Sequence, residues 1–258
     1  MLGLYDSGLG GLTVLAALRA AAVDQDVVYF ADQAHLPYGD KSDVQLHGFL
    51  TENLALLGEL GVDAVVTACN TTCAVAERLG WPRTDVPVLD LIATAGASFA
   101  GTPYRRIGVV ATVATIRSGA YERAIGASAP GVDVFGLAAP ALVPIVERGA
   151  ADTAQARDAV AAVVAELPRD LDALVYGCTH YPLLDRWFAA ALPPRVARID
   201  PAHAQAAAAA RLVAERGLAP GTSATTYYTN GDANAFEAAV RRWTGDATGR
   251  VAALAVSS

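Results

Sequence analysis

Lysine is nearly missing from this chain: Lys41 is the only one in 258 residues, and arginine supplies the other fixed positive charge. A pyridoxal-phosphate enzyme holds its cofactor on a lysine. Lys41 lies in Tyr38-Gly39-Asp40-Lys41-Ser42, a polar loop or helix start, and is a poor candidate for that task. Cysteine is also scarce, at three residues. An odd, small number makes no disulfide framework. No apolar run reaches the length of a membrane span, because the alanine-rich stretch 202–214 is broken by Gln205 and Arg211. The amino terminus lacks a basic region before its first apolar segment, so no secretory signal is expected and the cytoplasm is the expected compartment. Net positive charge is absent too. A formal charge of −7 and a pI near 5.0 argue against nucleic acid or an anionic membrane as the main partner.

What is present is apolar and ordered. Hydrophobic residues make up 53% of the chain, enough for a packed core. Strand-like and helix-like segments alternate, which predicts an α/β protein with mainly parallel sheets. Strands are expected at Leu2–Tyr5, Val27–Ala31, Val62–Ala68 and Val86–Ile92. Helices are expected to about Ala22, over Ser42–Leu60 and over Thr72–Leu79. The pattern then starts again, with strands at Arg106–Ala111, Val132–Leu137 and Leu171–Gly177 and helices near Ser118–Ala127 and Thr153–Leu167. Aligning the openings sets Gly3 against Gly108 and Ser7 against Thr112, an offset of about 105. This predicts two similar, pseudo-symmetric domains, each a mainly parallel sheet flanked by helices, with the active site in the cleft between them. The tail carries a helix over Ala202–Arg216, a strand near Thr225–Thr229 and a helix from Ala233 to Trp243, and is expected to pack back on the first half. The expected domains are residues 1–92 with 205–258, and residues 93–204.

The most informative residues are two cysteines. Cys69 in Ala68-Cys69-Asn70-Thr71 and Cys178 in Gly177-Cys178-Thr179-His180 each follow a buried-strand pattern, about 109 residues apart. Strand carboxyl ends are where open α/β sheets bind ligands. A matched pair of thiols suits a reaction that takes a proton from one face and returns it to the other. His180 is a plausible proton partner for Cys178, or a merely hydrogen-bonded loop histidine. Cys69, Cys73, Cys178 and His180 can also be drawn as a zinc set, but no CxxC knuckle exists and Cys73 reads better as a small buried helix residue.

Asp6-Ser7-Gly8-Leu9-Gly10-Gly11 follows the first strand. A dinucleotide fingerprint would need glycine at Thr13; Asp32 supplies the acid expected after the second strand, but Asp6 is ill-placed beside a pyrophosphate. A tight turn whose free backbone N–H groups hold a carboxylate fits better, with Ser7 adding a hydroxyl; a plain structural turn is the alternative. Leu36-Pro37-Tyr38-Gly39 offers a fixed loop, a phenol and a backbone N–H. Glu147 reads by default as a solvated helix-end acid.

Asp6–Val14, Pro37-Tyr38-Gly39, both cysteine segments, Ala111–Thr115 with Ser118 and Tyr121, Leu142–Gly149 and Tyr228–Asp232 occur in order along nearly the whole chain. Together they resemble the glutamate racemases of the aspartate/glutamate racemase superfamily. The resemblance implies cofactor-independent, metal-free interconversion of L- and D-glutamate, supplying D-glutamate for peptidoglycan. It implies that Cys69 and Cys178 flank the α-carbon, that Asp6 and His180 assist the thiols, and that Glu147 sits near His180. Ser7, Pro37, Tyr38, Gly39, Asn70, Thr71, Thr112, Thr115 and Thr179 would complete the substrate site. A homodimer is the implied assembly, with no nucleic-acid or membrane partner.

Three departures from the family pattern bear on substrate fit and hinge behaviour. Gln33 and His35 replace a threonine and an arginine, Thr72-Cys73 replaces Ala-Ser, and Ala93-Thr94-Ala95-Gly96 lacks Glu-Pro before glycine. The rival readings are an aspartate racemase, a decarboxylase or isomerase of the superfamily, and a non-catalytic binding protein on the same scaffold. A single-cysteine decarboxylase would keep Cys178 and lose Cys69; both are present.

Overall fold

A computed structural model describes residues 1–246 and 251–254. Residues 247–250 and 255–258, part of the expected first domain, lie outside them. The first half opens with β1 (Leu2–Asp6), α1 (Leu12–Ala20), β2 (Val27–Ala31), α2 (Asp43–Glu59), β3 (Ala64–Thr67), α3 (Asn70–Leu79), β4 (Val88–Leu89) and α4 (Leu91–Ala97). Every residue of β1, β2 and β3 is buried, as strands covered by helices on both faces must be. The second half contains β5 (Arg106–Ala111), α5 (Val113–Ser118), α6 (Ala120–Ser128), β6 (Asp133–Ala138), α7 (Leu142–Glu147), α8 (Ala154–Ala165), β7 (Ala173–Gly177), α9 (Asp185–Ala191) and β8 (Ala197–Ile199). The tail adds α10 (Pro201–Arg216), β9 (Thr225–Thr229), α11 (Ala233–Thr244) and β10 (Val251–Ala253).

The strands form two parallel sheets, ordered β10-β9-β2-β1-β3-β4 and β6-β5-β7-β8. The series β2-β1-β3-β4 and β6-β5-β7-β8 match strand for strand, so the repeat expected from the two openings is a repeat of topology. β1 corresponds to β5 and β3 to β7, which puts Cys69 and Cys178 after equivalent strands. The tail extends the first sheet: β9 pairs with β2 in register Val27↔Thr225 to Ala31↔Thr229.

Some boundaries differ from the sequence reading. The expected strand Val86–Ile92 is only Val88–Leu89, because Asp90 ends it by capping α4 through bonds from the Ile92 and Ala93 N–H groups. The helix expected near Ser118–Ala127 is α6, and a further helix, α5, precedes it where only a polar turn was expected. They break at Gly119, whose φ of +66° a residue with a Cβ adopts only with strain. The strands β8 and β10 and the short helices α4, α5 and α9 were not expected.

Both crossings between the sheets run through helices, α4 and α10, which pack on one another. Gln205 of α10 is fully buried there. Its amide donates to the Thr67 and Leu89 carbonyls, both at 2.9 Å, and accepts from Thr94 Oγ1 at 2.7 Å. Thr94, one of the departures from the family pattern, thus joins α4 to the end of β3. One apolar cluster includes Leu4 and Val66 of the first sheet with Val110 and Leu174 of the second, so the halves share packed core. Among the described residues no helix is long and apolar enough to cross a membrane.

Candidate active site

The carboxyl ends of β1, β3, β5 and β7 converge on one narrow cavity of about 90 Å³. Asp6, Ser7, Pro37, Tyr38, Gly39, Cys69, Asn70, Thr71, Thr112, Cys178, Thr179 and His180 line it. Thr115 and Glu147 stand one layer back. The hydroxyls of Thr71, Thr112 and Thr115 form a triangle across the cleft, with separations of 3.0, 3.0 and 3.4 Å. Pro140, Val143 and Pro144 add an apolar wall that the sequence reading did not anticipate.

The two thiols sit in different surroundings. Cys178 Sγ lies 3.6 Å from His180 Nδ1, and His180 Nε2 lies 2.5 Å from Glu147 Oε1. Burial by itself would push the His180 imidazole toward neutrality. The hydrogen bonds to Cys178 and Glu147 overcome it and hold the imidazole well above its usual pKa. Burial likewise works against the Glu147 charge. Hydrogen bonds from His180, the Leu9 N–H at 3.1 Å and Gln33 outweigh it and keep the carboxyl below its usual range. Glu147 is no solvated helix-end acid; it clamps the histidine. Gln33 braces this clamp, since it accepts from Thr229 Oγ1 at 3.0 Å and bonds Glu147.

On the other side Cys69 is the residue immediately before α3. Burial first, and then the charge of Asp6, push its thiol up to about 12, against hydrogen bonds to Thr72. Asp6 Oδ2 accepts from the Gly11 N–H at 2.7 Å and the Gly8 N–H at 3.4 Å, and Oδ1 accepts from Thr179 Oγ1 at 3.4 Å. The glycine turn therefore holds a carboxylate of its own chain with its free N–H groups. It also forms a contact plane, because a Cβ on Gly10 would sit 2.7 Å from His180 Nδ1.

Asp32 explains why the dinucleotide reading fails. It is fully buried and accepts from Tyr38, from Asn53 at 3.0 Å and from Asn230 at 2.5 Å, with His35 Nδ1 2.7 Å away. Every lone pair a ribose would need is taken. Tyr38 turns its phenol inward to Asp32 and to Tyr5 at 3.0 Å, so its loop lines the cavity through the rest of the residue. His35 stacks on Phe49 at 3.8 Å outside the cavity. Cys73 is directed to Thr67 Oγ1 at 3.1 Å and does not line the cavity, which removes it from the zinc set. Asp32, Asn53, Tyr121 and Asn230 are supporting residues that were given no role in the site; Asp32 stood out only as the acid after the second strand, Tyr121 and Asn230 only within the motifs that carry the resemblance, and Asn53 carried no signal.

The family profile described as Asp/Glu/hydantoin racemase matches residues 13–209. The chain is a member of the Asp/Glu/hydantoin racemase family. A glutamate racemase of Desulforudis audaxviator is 39% identical over 254 residues, covering 94% of this chain and 93% of that relative. The crystal structure of glutamate racemase isoform RacE1 from Bacillus anthracis is 31% identical with a TM-score of 0.91, covering 100% of this chain and 98% of that one. A Francisella tularensis glutamate racemase solved in complex with D-glutamate is 26% identical with a TM-score of 0.87, covering 98% and 96%.

Burial pushes the Asp6 carboxyl up to about 6, against the opposing pull of His180 and the Gly11 and Gly8 N–H groups. A raised carboxyl favours the folded state below its unfolded value, and that advantage is lost as pH rises through about 6. The ionised Asp6 costs about 3 kcal/mol at pH 8 by this linkage. Asp6→Asn keeps an acceptor for Gly11 and removes the charge. It is expected to melt higher than the parent at pH 8, with the difference vanishing toward pH 4. Equal gains at both pH values would contradict this.

Proposed function

We propose that this protein is a glutamate racemase that works by two thiols, without cofactor or metal. The observation that carries the reading is a pair of cysteines at equivalent strand ends of a repeated sheet, facing one cavity, one beside His180 and the other in the field of Asp6. The glutamate racemases that the chain resembles point to the substrate, and the donor set supports it. Ser7, Asn70, Thr71, Thr112 and Thr179 offer hydroxyl, amide and backbone N–H groups to two carboxylates, and Asp6 can take the ammonium.

In the resting state Cys178 is the thiolate, paired with a protonated His180 that Glu147 holds in place, because a neighbouring imidazolium stabilises a thiolate. Cys69 is the thiol, kept protonated by burial and by Asp6. Cys178 takes the α-proton of one enantiomer, the electron pair moves into the carboxylate, and Cys69 returns a proton to the opposite face. That turnover leaves Cys178 as the thiol and Cys69 as the thiolate, the form that takes the opposite enantiomer by the same steps reversed. The resting form returns when Cys178 gives a proton to solvent and Cys69 takes one back, with His180 and Asp6 assisting. Net charge and atoms are then unchanged, as racemisation requires. We take residues 1–92 with 205–258 and 93–204 as the two domains, and a cytoplasmic homodimer making D-glutamate for peptidoglycan as the working form; three free cysteines suit a reducing compartment.

The test is dialysed protein incubated with L-glutamate in D₂O, read by circular dichroism and α-deuteration. Racemisation with solvent deuterium in the product is expected without additions. Turnover that needs pyridoxal phosphate or zinc would sink the reading. Glutamate is expected to exceed aspartate in kcat/KM by about 100-fold, since a shorter substrate leaves site donors unpaired. A preference for aspartate would show that the loop holding Gln33 and His35 has re-sized the site.

A further inference from the structure

Asn70 is 3% exposed and opens α3 at the cavity wall. Its Oδ1 accepts from the Tyr121 hydroxyl at 2.6 Å. Its Nδ2 is the one buried side-chain nitrogen or oxygen among the described residues that has no hydrogen-bond partner. Folded proteins rarely leave such a donor alone, because desolvating it without a partner is costly. The two facts are linked. A phenol carries one proton, and this one is spent on Oδ1. Reversing the amide would leave the phenol proton without its acceptor and put a carbonyl, a poor neighbour for an anion, where the unpartnered NH₂ now stands.

Tyr121 comes from the opposite half of the molecule. It lies in the first turn of α6, beyond the Gly119 break, and is buried among the apolar residues packed on the second sheet. The bond therefore spans the cleft and fixes, from one half, the direction of a donor that belongs to the other.

We propose that Tyr121 is a positioning residue for substrate: it locks the Asn70 amide with its NH₂ toward the cavity, where a substrate carboxylate completes it. The proposal rests on the racemase reading above. An amide free to rotate would present oxygen to the carboxylate part of the time, and each such state must be reversed on binding. That carboxylate is the side-chain one, which gains no charge as the α-proton leaves, so the interaction stabilises bound substrate and transition state alike and acts on KM.

The experiment compares wild type, Tyr121→Phe, Asn70→Ala, the double variant and Asn70→Asp by racemisation kinetics and thermal melting. Tyr121→Phe keeps the ring and is expected to raise KM for glutamate about tenfold with kcat within about threefold. In the Asn70→Ala background the same change is expected to alter kcat/KM by less than about twofold, because its target is gone. Asn70→Asp keeps the acceptor for Tyr121 but exchanges the NH₂ for oxygen, and is expected to lower kcat/KM by about 100-fold or more with little change in melting. An unchanged KM in a folded Tyr121→Phe, or full additivity in the double variant, overturns the proposal while racemisation by wild type leaves the underlying reading standing. If Tyr121→Phe fails to fold, Asn70→Asp decides, and wild-type KM in that variant overturns the proposal. A wild-type protein that does not racemise glutamate overturns the racemase reading itself.

Discussion

Cys69→Ala and Cys178→Ala are each expected to lower glutamate racemisation by about 1,000-fold or more, with melting temperatures close to that of the parent protein. The size follows from the division of labour. One sulfur must take the α-proton and the other must supply its replacement, so losing either stops both directions. Packing loss is small, since each side chain ends in a single sulfur at a strand terminus. The two variants are also expected to differ from each other. With Cys178 gone, the remaining thiol is the one that burial pushes up to about 12, so isotope exchange at the α-carbon should be nearly abolished. With Cys69 gone, Cys178 keeps His180 and Glu147, and one enantiomer of glutamate should still exchange its α-proton with D₂O without inverting. Proton NMR of each enantiomer incubated separately reads this directly. Wild-type racemisation in either variant would make that cysteine structural. Exchange from both enantiomers in Cys69→Ala would rule out a facial assignment of the thiols.

The asymmetry behind that expectation is only partly written in the sequence. A duplicated order of strands and turns was legible because buried parallel strands are near-continuous apolar runs, and because each half ends its third strand on a cysteine. From there the positions of Ser7, Asn70, Thr71, Thr112 and Thr179 follow, as residues just past strand ends. Elements decided by a few residues did not show. β8 has three residues and no alternation to read, and β4 gives way to a helix because of one capping side chain, Asp90. The roles of supporting residues were hidden for a different reason. Asp32 and Tyr121 were visible only as motif residues, because the bonds to Asn53, Asn70 and Asn230 join residues 21, 51 and 198 positions apart, and separation in sequence carries no sign of such a bond. Glu147 was placed near His180 only by resemblance. The structure adds why it matters there: with the Cys178 bond, the carboxylate in hydrogen-bond contact with the buried imidazole reverses the effect of burial on that ring.

Gly10→Ala is expected to be nearly as damaging as losing a thiol, at about 100-fold or more in kcat/KM, although Gly10 touches no substrate in the mechanism proposed here. A Cβ at this position would lie 2.7 and 2.9 Å from His180 Nδ1 and Cε1, and closer still to Thr179 Oγ1. Neither neighbour is the loose end of a long side chain. His180 is 2% exposed and tied at both ring nitrogens, to Cys178 and to Glu147, while Thr179 donates to Asp6. The added methyl must therefore move the histidine off the thiol or lift the glycine turn away from the second half, and the second course disturbs the bonds that Asp6 receives from the same turn. Both courses damage a proton partner. Gly58→Ala is the matched control: it adds a methyl in α2 where nothing lies within 4 Å. That change is expected to leave kcat/KM untouched and to stabilise the fold by about 0.5–1 kcal/mol through helix propensity. If Gly10→Ala retains wild-type kcat/KM, the close approach of the turn to His180 is not what holds the imidazole on Cys178.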